Sequence, residues 1–235
     1  MKISLLLPIL FLMLNSCNSK EVEELEDTIN FTDNFTFNLN QYWTDASQNN
    51  SPMSYQLENN YLKITTRALT PDRVKVKTVK SHFGLGVYKW RVYAPAFELN
   101  AQCSIGAFIY KNDLTEIDFE IGSGTSQLRD ELNAQADDLV IYCTSQGQPF
   151  SSSQFLLKSE QWHQLKLKLS VGDNNNYKIE WFLNNTLLKT LQTAIPITNL
   201  FGIYNSLENL GFIGNQLPTS ENYTYFDSFS FEGND

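Results

Sequence analysis

From Phe31 onward, apolar residues recur at alternate positions in short runs broken by clusters of Asn, Asp, Gly and Ser, and no long 3.6-residue period develops. A β-strand turns successive side chains to opposite faces, so each run has one face to bury and one to leave in water. Such runs lie at 61–67, 74–78, 86–94, 103–110, 116–121, 138–143, 163–170, 177–183, 186–191, 200–205 and 223–232. Half-apolar strands in this number need a second layer to pack against, which predicts an all-β sandwich of two stacked antiparallel sheets. Val171 to Asn176 reads as a turn cluster, and Asn184-Asn185 as a hairpin turn in which Asn tolerates positive φ. Residues 122–137, weakly helical over 128–135, read as a long loop beside the strand that precedes them.

That strand is Thr115-Glu116-Ile117-Asp118-Phe119-Glu120-Ile121-Gly122. Its alternation puts three carboxylates on one face and three apolar side chains on the other. Like charges so close raise one another's proton affinity, as in catalytic sites. Glycoside hydrolysis needs two carboxyl groups about the scissile bond, and Glu116 and Glu120 fit those roles. On a straight strand their Cα atoms stand about 13 Å apart, so the strand is expected to curve and both side chains to lean together over Asp118. The bland reading is an exposed strand face that happens to be acidic.

The first sixteen residues combine Lys2 with an apolar run from Ile3 to Leu14, too short to span a bilayer, and end before Cys17. They resemble a bacterial lipoprotein signal, which makes residues 1–16 a signal peptide, Cys17 the acylated N-terminus and residues 17–30 a flexible acidic tether. A single domain, 31–235, follows. The expected location is the outer membrane, facing the periplasm or the cell surface, with the lipid as the only membrane contact. The chain carries 26 acidic against 17 basic residues, which argues against nucleic acid and polyanionic polymers and leans toward a neutral polysaccharide. Cys103 and Cys143 could pair in an oxidising compartment or stand free as small buried residues. Two histidines, His82 and His163, are too few and too separated for a metal cluster or a Ser-His-Asp arrangement.

The acid strand, written Glu116-x-Asp118-x-Glu120, resembles the active-site strand of glycoside hydrolase family 16. Phe83-Gly84-Leu85-Gly86-Val87-Tyr88-Lys89-Trp90 upstream, and Gln161-Trp162-His163 with Ile179-Glu180-Trp181-Phe182-Leu183-Asn184-Asn185 downstream, are similar to that family's flanking blocks. The resemblance runs from about Phe31 to the end. It implies a concanavalin A-like β-jelly roll of two curved sheets acting on internal β-linkages with retention, most simply those of a β-glucan. Glu116 would be the nucleophile, Asp118 its assisting carboxylate and Glu120 the general acid/base. The absence of an extra residue in the motif brings it nearer to lichenases and xyloglucan-active members.

The resemblance further implies a sugar-binding cleft containing Phe108, Tyr110, Tyr142, Trp181, Tyr204 and Asn205, each of which has a plain alternative as a core residue. No cofactor is implied beyond a structural calcium, for which Asp227 resembles one ligand. A monomer is expected. The chain departs from the pattern where Cys103 to Phe108 lacks the family's tryptophans, and where Thr78 and Ile141 replace an arginine and an asparagine of lichenase-like enzymes. Two classes therefore stand: an endo-glycosidase, favoured by the retained acids, and a glycan-binding lipoprotein of the same fold, favoured by the lost cleft residues.

Overall fold

The computed structural model describes residues 30–234. The expected signal peptide, Cys17 and the tether as far as residue 29 lie outside the described residues. In chain order the strands are β1 (Asn30–Asp33), β2 (Trp43–Asp45), β3 (Tyr55–Glu58), β4 (Tyr61–Thr66), β5 (Arg73–Thr78), β6 (Gly86–Ala94), β7 (Cys103–Asn112), β8 (Thr115–Gly122), β9 (Asp138–Ser145), β10 (Ser151–Lys158), β11 (Gln161–Val171), β12 (Asn176–Leu183), β13 (Thr186–Pro196), β14 (Gly202–Asn209) and β15 (Asn222–Gly233). They form two antiparallel sheets. The larger runs β13-β12-β11-β6-β15-β4-β3 with β1 added beside β15; the smaller runs β10-β9-β8-β7-β14-β5-β2. This is the two-sheet sandwich expected from the strand pattern, in the jelly-roll form that the family resemblance implied.

Between the sheets lies one continuous core. Leu62, Ile64, Trp90, Val92, Leu165, Leu167, Ile179 and Trp181 from the larger sheet meet Val76, Ile105, Ala107, Ile117, Phe119, Ile121 and Ile203 from the smaller, all essentially inaccessible to water. The period-two pattern is thus satisfied on both sides. At Asn184-Asn185 both residues have left-handed backbone, φ 48° and 67°, joining β12 to β13 as a tight hairpin.

Four strands escape the alternation rule. β1, β2 and β3 are only three or four residues long, and β10 opens with Ser151-Ser152-Ser153 and closes one edge of the smaller sheet. Edge strands need bury less, so their sequences signal less. The loop expected over 122–137 contains a short helix, α1 (Ser126–Glu131), two residues earlier than the weak helical signal. Thr125 caps it by accepting from the Leu128 amide, and buried Arg129 donates to the carbonyls of Ser123, Gln135 and Asp138. Cys103 and Cys143 are both buried and free, which resolves the disulfide alternative.

Candidate active site

The outer face of the smaller sheet is hollowed into a cleft of about 880 Å³. Strand register sets its floor. One row across the sheet reads Lys77 (β5), Tyr204 (β14), Phe108 (β7), Asp118 (β8), Thr144 (β9) and Ser152 (β10); the next reads Lys75, Ser206, Gly106, Glu120, Tyr142 and Gln154. A third places Arg73, Glu208, Ser104 and Gly122 in line. Glu116 pairs with Tyr110 at the other end. All three β8 acids face this cleft, and Ile117, Phe119 and Ile121 are fully buried behind them.

Two of the acids are scarcely hydrated and Glu116 is partly buried. Asp118 is 2% and Glu120 7% exposed, and no salt bridge reaches either of them or Glu116 among the described residues. Burial, reinforced by the charge of Glu208, pushes Glu116 up to about 7 and Glu120 to about 8. Asp118 is held well above the usual carboxylate range, first by burial and then by its two neighbours. Its Oδ1 finds no partner. Near neutral pH the cluster therefore shares protons.

Glu120 does not lean over Asp118 as expected. Glu120 leans sideways across β7: the Ser104 hydroxyl donates to its Oε2, and its Oε1 lies 3.1 Å from where a Cβ on Gly106 would stand. Gly106 is thus the floor over which this carboxyl passes, and an added Cβ would also clash with the Ser206 hydroxyl. Glu116 lies within electrostatic reach of Glu208, Lys75 and Arg73.

The structure sorts the expected substrate contacts. Tyr204 stacks nearly parallel on Phe108, with centroids 4.8 Å apart, and Tyr110 meets Tyr204 edge-on at 5.6 Å. Phe108 is only 4% exposed, so it supports Tyr204 from beneath. Tyr142 also lines the cleft, its hydroxyl unpartnered, with Phe212 set edge-on against it. Two expectations fail. Trp181 lies in the core, its inward direction fixed by the β12 alternation, and its Nε1 donates to the Asp118 carbonyl at 3.0 Å. It braces the acid strand from behind. Asn205 sits in the inward row between Val76 and Ala107, buried, with both amide atoms unpartnered.

Asp227, expected as a calcium ligand, faces outward on the larger sheet and pairs with Arg91 at 2.9 Å. No group of three His, Cys, Asp or Glu able to hold a metal gathers among the described residues. The side chains around Asp227 thus do not fit a carboxylate cage.

Several cleft residues were not anticipated. Glu208 is 1% exposed and clamped between Arg73 at 2.5 Å and Lys75 at 2.8 Å. Exposed Phe150 and Phe212 stand at the rim, with Gln146, Thr144 and Gln154 along the β9 and β10 side. A signal existed for the ions: Arg73-Val74-Lys75-Val76-Lys77 alternates perfectly. The expected strands 74–78 and 200–205 begin one residue after Arg73 and end three before Glu208, so the pattern does not reach the pair.

No family model matches this chain, and no curated protein does. Solved structures match it in shape. It is similar to a Bacillus licheniformis β-glucanase, with 14% identity, 87% of this chain and 98% of that one covered, and a TM-score of 0.63. It is also similar to a prokaryotic β-1,3-1,4-glucanase (lichenase) from a mouse hindgut metagenome, at 14% identity, 87% and 99% coverage and a TM-score of 0.62. A third is LamA from Z. galactanivorans, solved with laminaritriose and laminaritetraose, at 12% identity, 86% and 97% coverage and 0.63. At these identities the likeness is one of fold, and the fold is the jelly roll that the family 16 resemblance implied.

Proposed function

We propose that this protein is a glycoside hydrolase that cleaves internal β-linkages of a neutral polysaccharide with retention, anchored to the outer membrane through an acylated Cys17. The observation that carries the reading is the β8 triad: three carboxyl groups, Asp118 and Glu120 nearly dry and Glu116 partly buried, none of them in a salt bridge among the described residues, on the floor of an open cleft. Such a cluster is costly to the fold and useful for moving protons. The neighbours in shape support the substrate class, since one is a lichenase and another was solved with laminari-oligosaccharides. Within the cleft Lys75 and Arg73 are both held on Glu208, so neither stands free to receive an anionic polymer.

In the first step ionised Glu116 attacks the anomeric carbon as the bond to the leaving oxygen breaks, and Glu120 gives its proton to that oxygen. In the second, Glu120 takes a proton from water, the hydroxyl oxygen attacks the anomeric carbon, and the bond to Glu116 breaks. The raised proton affinity of the cluster fits a site that must hold a proton to give. Burial raises Glu116 to about 7 and Glu120 to about 8, and Asp118 between them is also held above the usual carboxylate range by burial and by both neighbours. The pH dependence of kcat/KM should be a narrow bell with limbs near those values, belonging to the cluster rather than to single residues.

The sideways lean of Glu120 toward Ser104 favours a second reading, a glycan-binding protein with little turnover. A reducing-sugar assay on lichenan, laminarin, xyloglucan, agarose and carrageenan separates the two. Product from at least one polymer, lost in Glu116→Gln and in Glu120→Gln, supports the enzyme. Product from none, with retardation retained in polysaccharide gels, supports the binder.

A further inference from the structure

In the sheet register, Lys75 and Glu120 occupy the same transverse row with Ser206 and Gly106 between them, and the Phe108 ring reaches over from the next row to within 3.2 Å of where a Gly106 Cβ would stand. Ser206 and Gly106 are two of the smallest side chains a strand can carry. Glu120 already crosses Gly106 in the direction of Lys75. Three strand spacings of roughly 4.8 Å put their Cα atoms about 14 Å apart, a gap that an extended lysine and an extended glutamate could close only by reaching straight toward each other along this row. Lys75 instead turns to the next row and pairs with Glu208 at 2.8 Å, both side chains no more than 6% exposed, and Arg73 closes on the same carboxylate. Glu208 is directly opposite Ser104, the residue whose hydroxyl holds Glu120.

We infer that Glu208 is a positioning residue for Glu120: it withholds Lys75 and Arg73 from the β8 acids and lays a fixed negative charge beside the proton donor. A general acid paired with a buried lysine would stay ionised and have no proton to give. The other titratable groups facing the cluster are Lys77 from β5, Tyr204 from β14, Tyr110 from β7, Asp113 from the following turn and Tyr142 from β9; Cys103 and Cys143 lie behind it in the core between the sheets. Lys189 of β13 acts on Asp118 from inside the sandwich. None of these stands in the row between Lys75 and Glu120. The charge of Glu208 acts on Glu120 in the direction required, opposite to that of Lys75.

The inference rests on the hydrolase reading for its purpose but is tested without substrate. The carboxyl carbon of Glu120 is followed by NMR during pH titration of the whole protein as wild type, Glu208→Gln and Lys75→Met. The Glu208 variant should lower the Glu120 midpoint by about one pH unit or more, and the Lys75 variant should raise it. Packing damage has no reason to move the midpoint in opposite directions. Glu208→Asp should restore most of the wild-type value. If Glu208→Gln does not fold, Lys75→Met decides alone: an unchanged or lowered midpoint overturns the inference. An active enzyme with unmoved midpoints sinks only this role for Glu208, whereas opposite shifts in a protein that cleaves nothing would sink only the hydrolase reading.

Discussion

On the outer face of the larger sheet acids and bases are matched: Glu58 with Lys63, Glu232 with Lys89, Asp227 with Arg91 and Glu180 with Lys168. Every one of these pairs joins neighbouring strands or residues across a turn, and solvent reaches them. On the outer face of the smaller sheet Glu116, Asp118 and Glu120 lie in a row with no base, while the two bases nearest to them are taken by Glu208. The same alternating strand chemistry produces both faces. What differs is the partner assigned to each acid, and that choice separates a surface that stabilises weakly from one that stores proton affinity.

The contrast is broken most severely by removing an acid from β8. Glu116→Gln and Glu120→Gln should each lower kcat/KM by roughly 10⁴-fold or more, with the far-UV circular dichroism spectrum unchanged. Retained turnover in either would remove that residue from the chemistry. Gly106→Ala should come next. An added Cβ meets both Ser206 and Glu120, so Glu120 must shift, and a displacement near 1 Å costs on the order of 10²-fold in kcat. Unaltered kcat in this variant would show that the crossing over β7 is not the working position of Glu120.

Stability should move the other way. Glu116 has a folded-state value of about 7 against an ordinary 4.5, so its contribution is fully present below about 4.5 and is lost as pH rises through 7. Glu116→Gln removes that loss. It should stabilise the protein by roughly 2–3 kcal/mol at pH 8 and by almost nothing at pH 4, measured by urea unfolding at the two pH values. Equal effects at both would mean that the carboxyl is far better hydrated than its burial implies.

How much of this was readable beforehand follows the same division. Glu116, Asp118 and Glu120 were legible because alternation against Ile117, Phe119 and Ile121 forces all three to one face, and the hairpin at Asn184-Asn185 because only a few residues accept positive φ. Trp181 and Asn205 were misplaced because a motif gives a position along a strand, whereas the inward or outward choice depends on register; counting from Ile179, which is buried, puts Trp181 inward. Glu208 was not legible as a partner of Lys75, since 133 residues separate them and only the β5–β14 pairing brings them together. The lean of Glu120 depends on Gly106 in the neighbouring strand, and a strand read alone does not carry its neighbour's gaps.

The smallest expected effect completes the comparison from the other face. Asp227→Asn breaks the pair with Arg91, whose side chain is 48% exposed and whose guanidinium also lies 4.8 Å from the Trp162 ring centroid. An exposed pair of this kind contributes between zero and about 1 kcal/mol, and the stacking on Trp162 survives the substitution. The variant should therefore lose less than about 1 kcal/mol in urea unfolding, a loss that shrinks further in 0.5 M salt, and kcat/KM should not change. Addition of calcium discriminates further: if wild type gains thermal stability with calcium and Asp227→Asn does not, the Asp227 carboxylate binds metal in preference to Arg91. The two faces would then differ in ligand chemistry as well as in charge pairing.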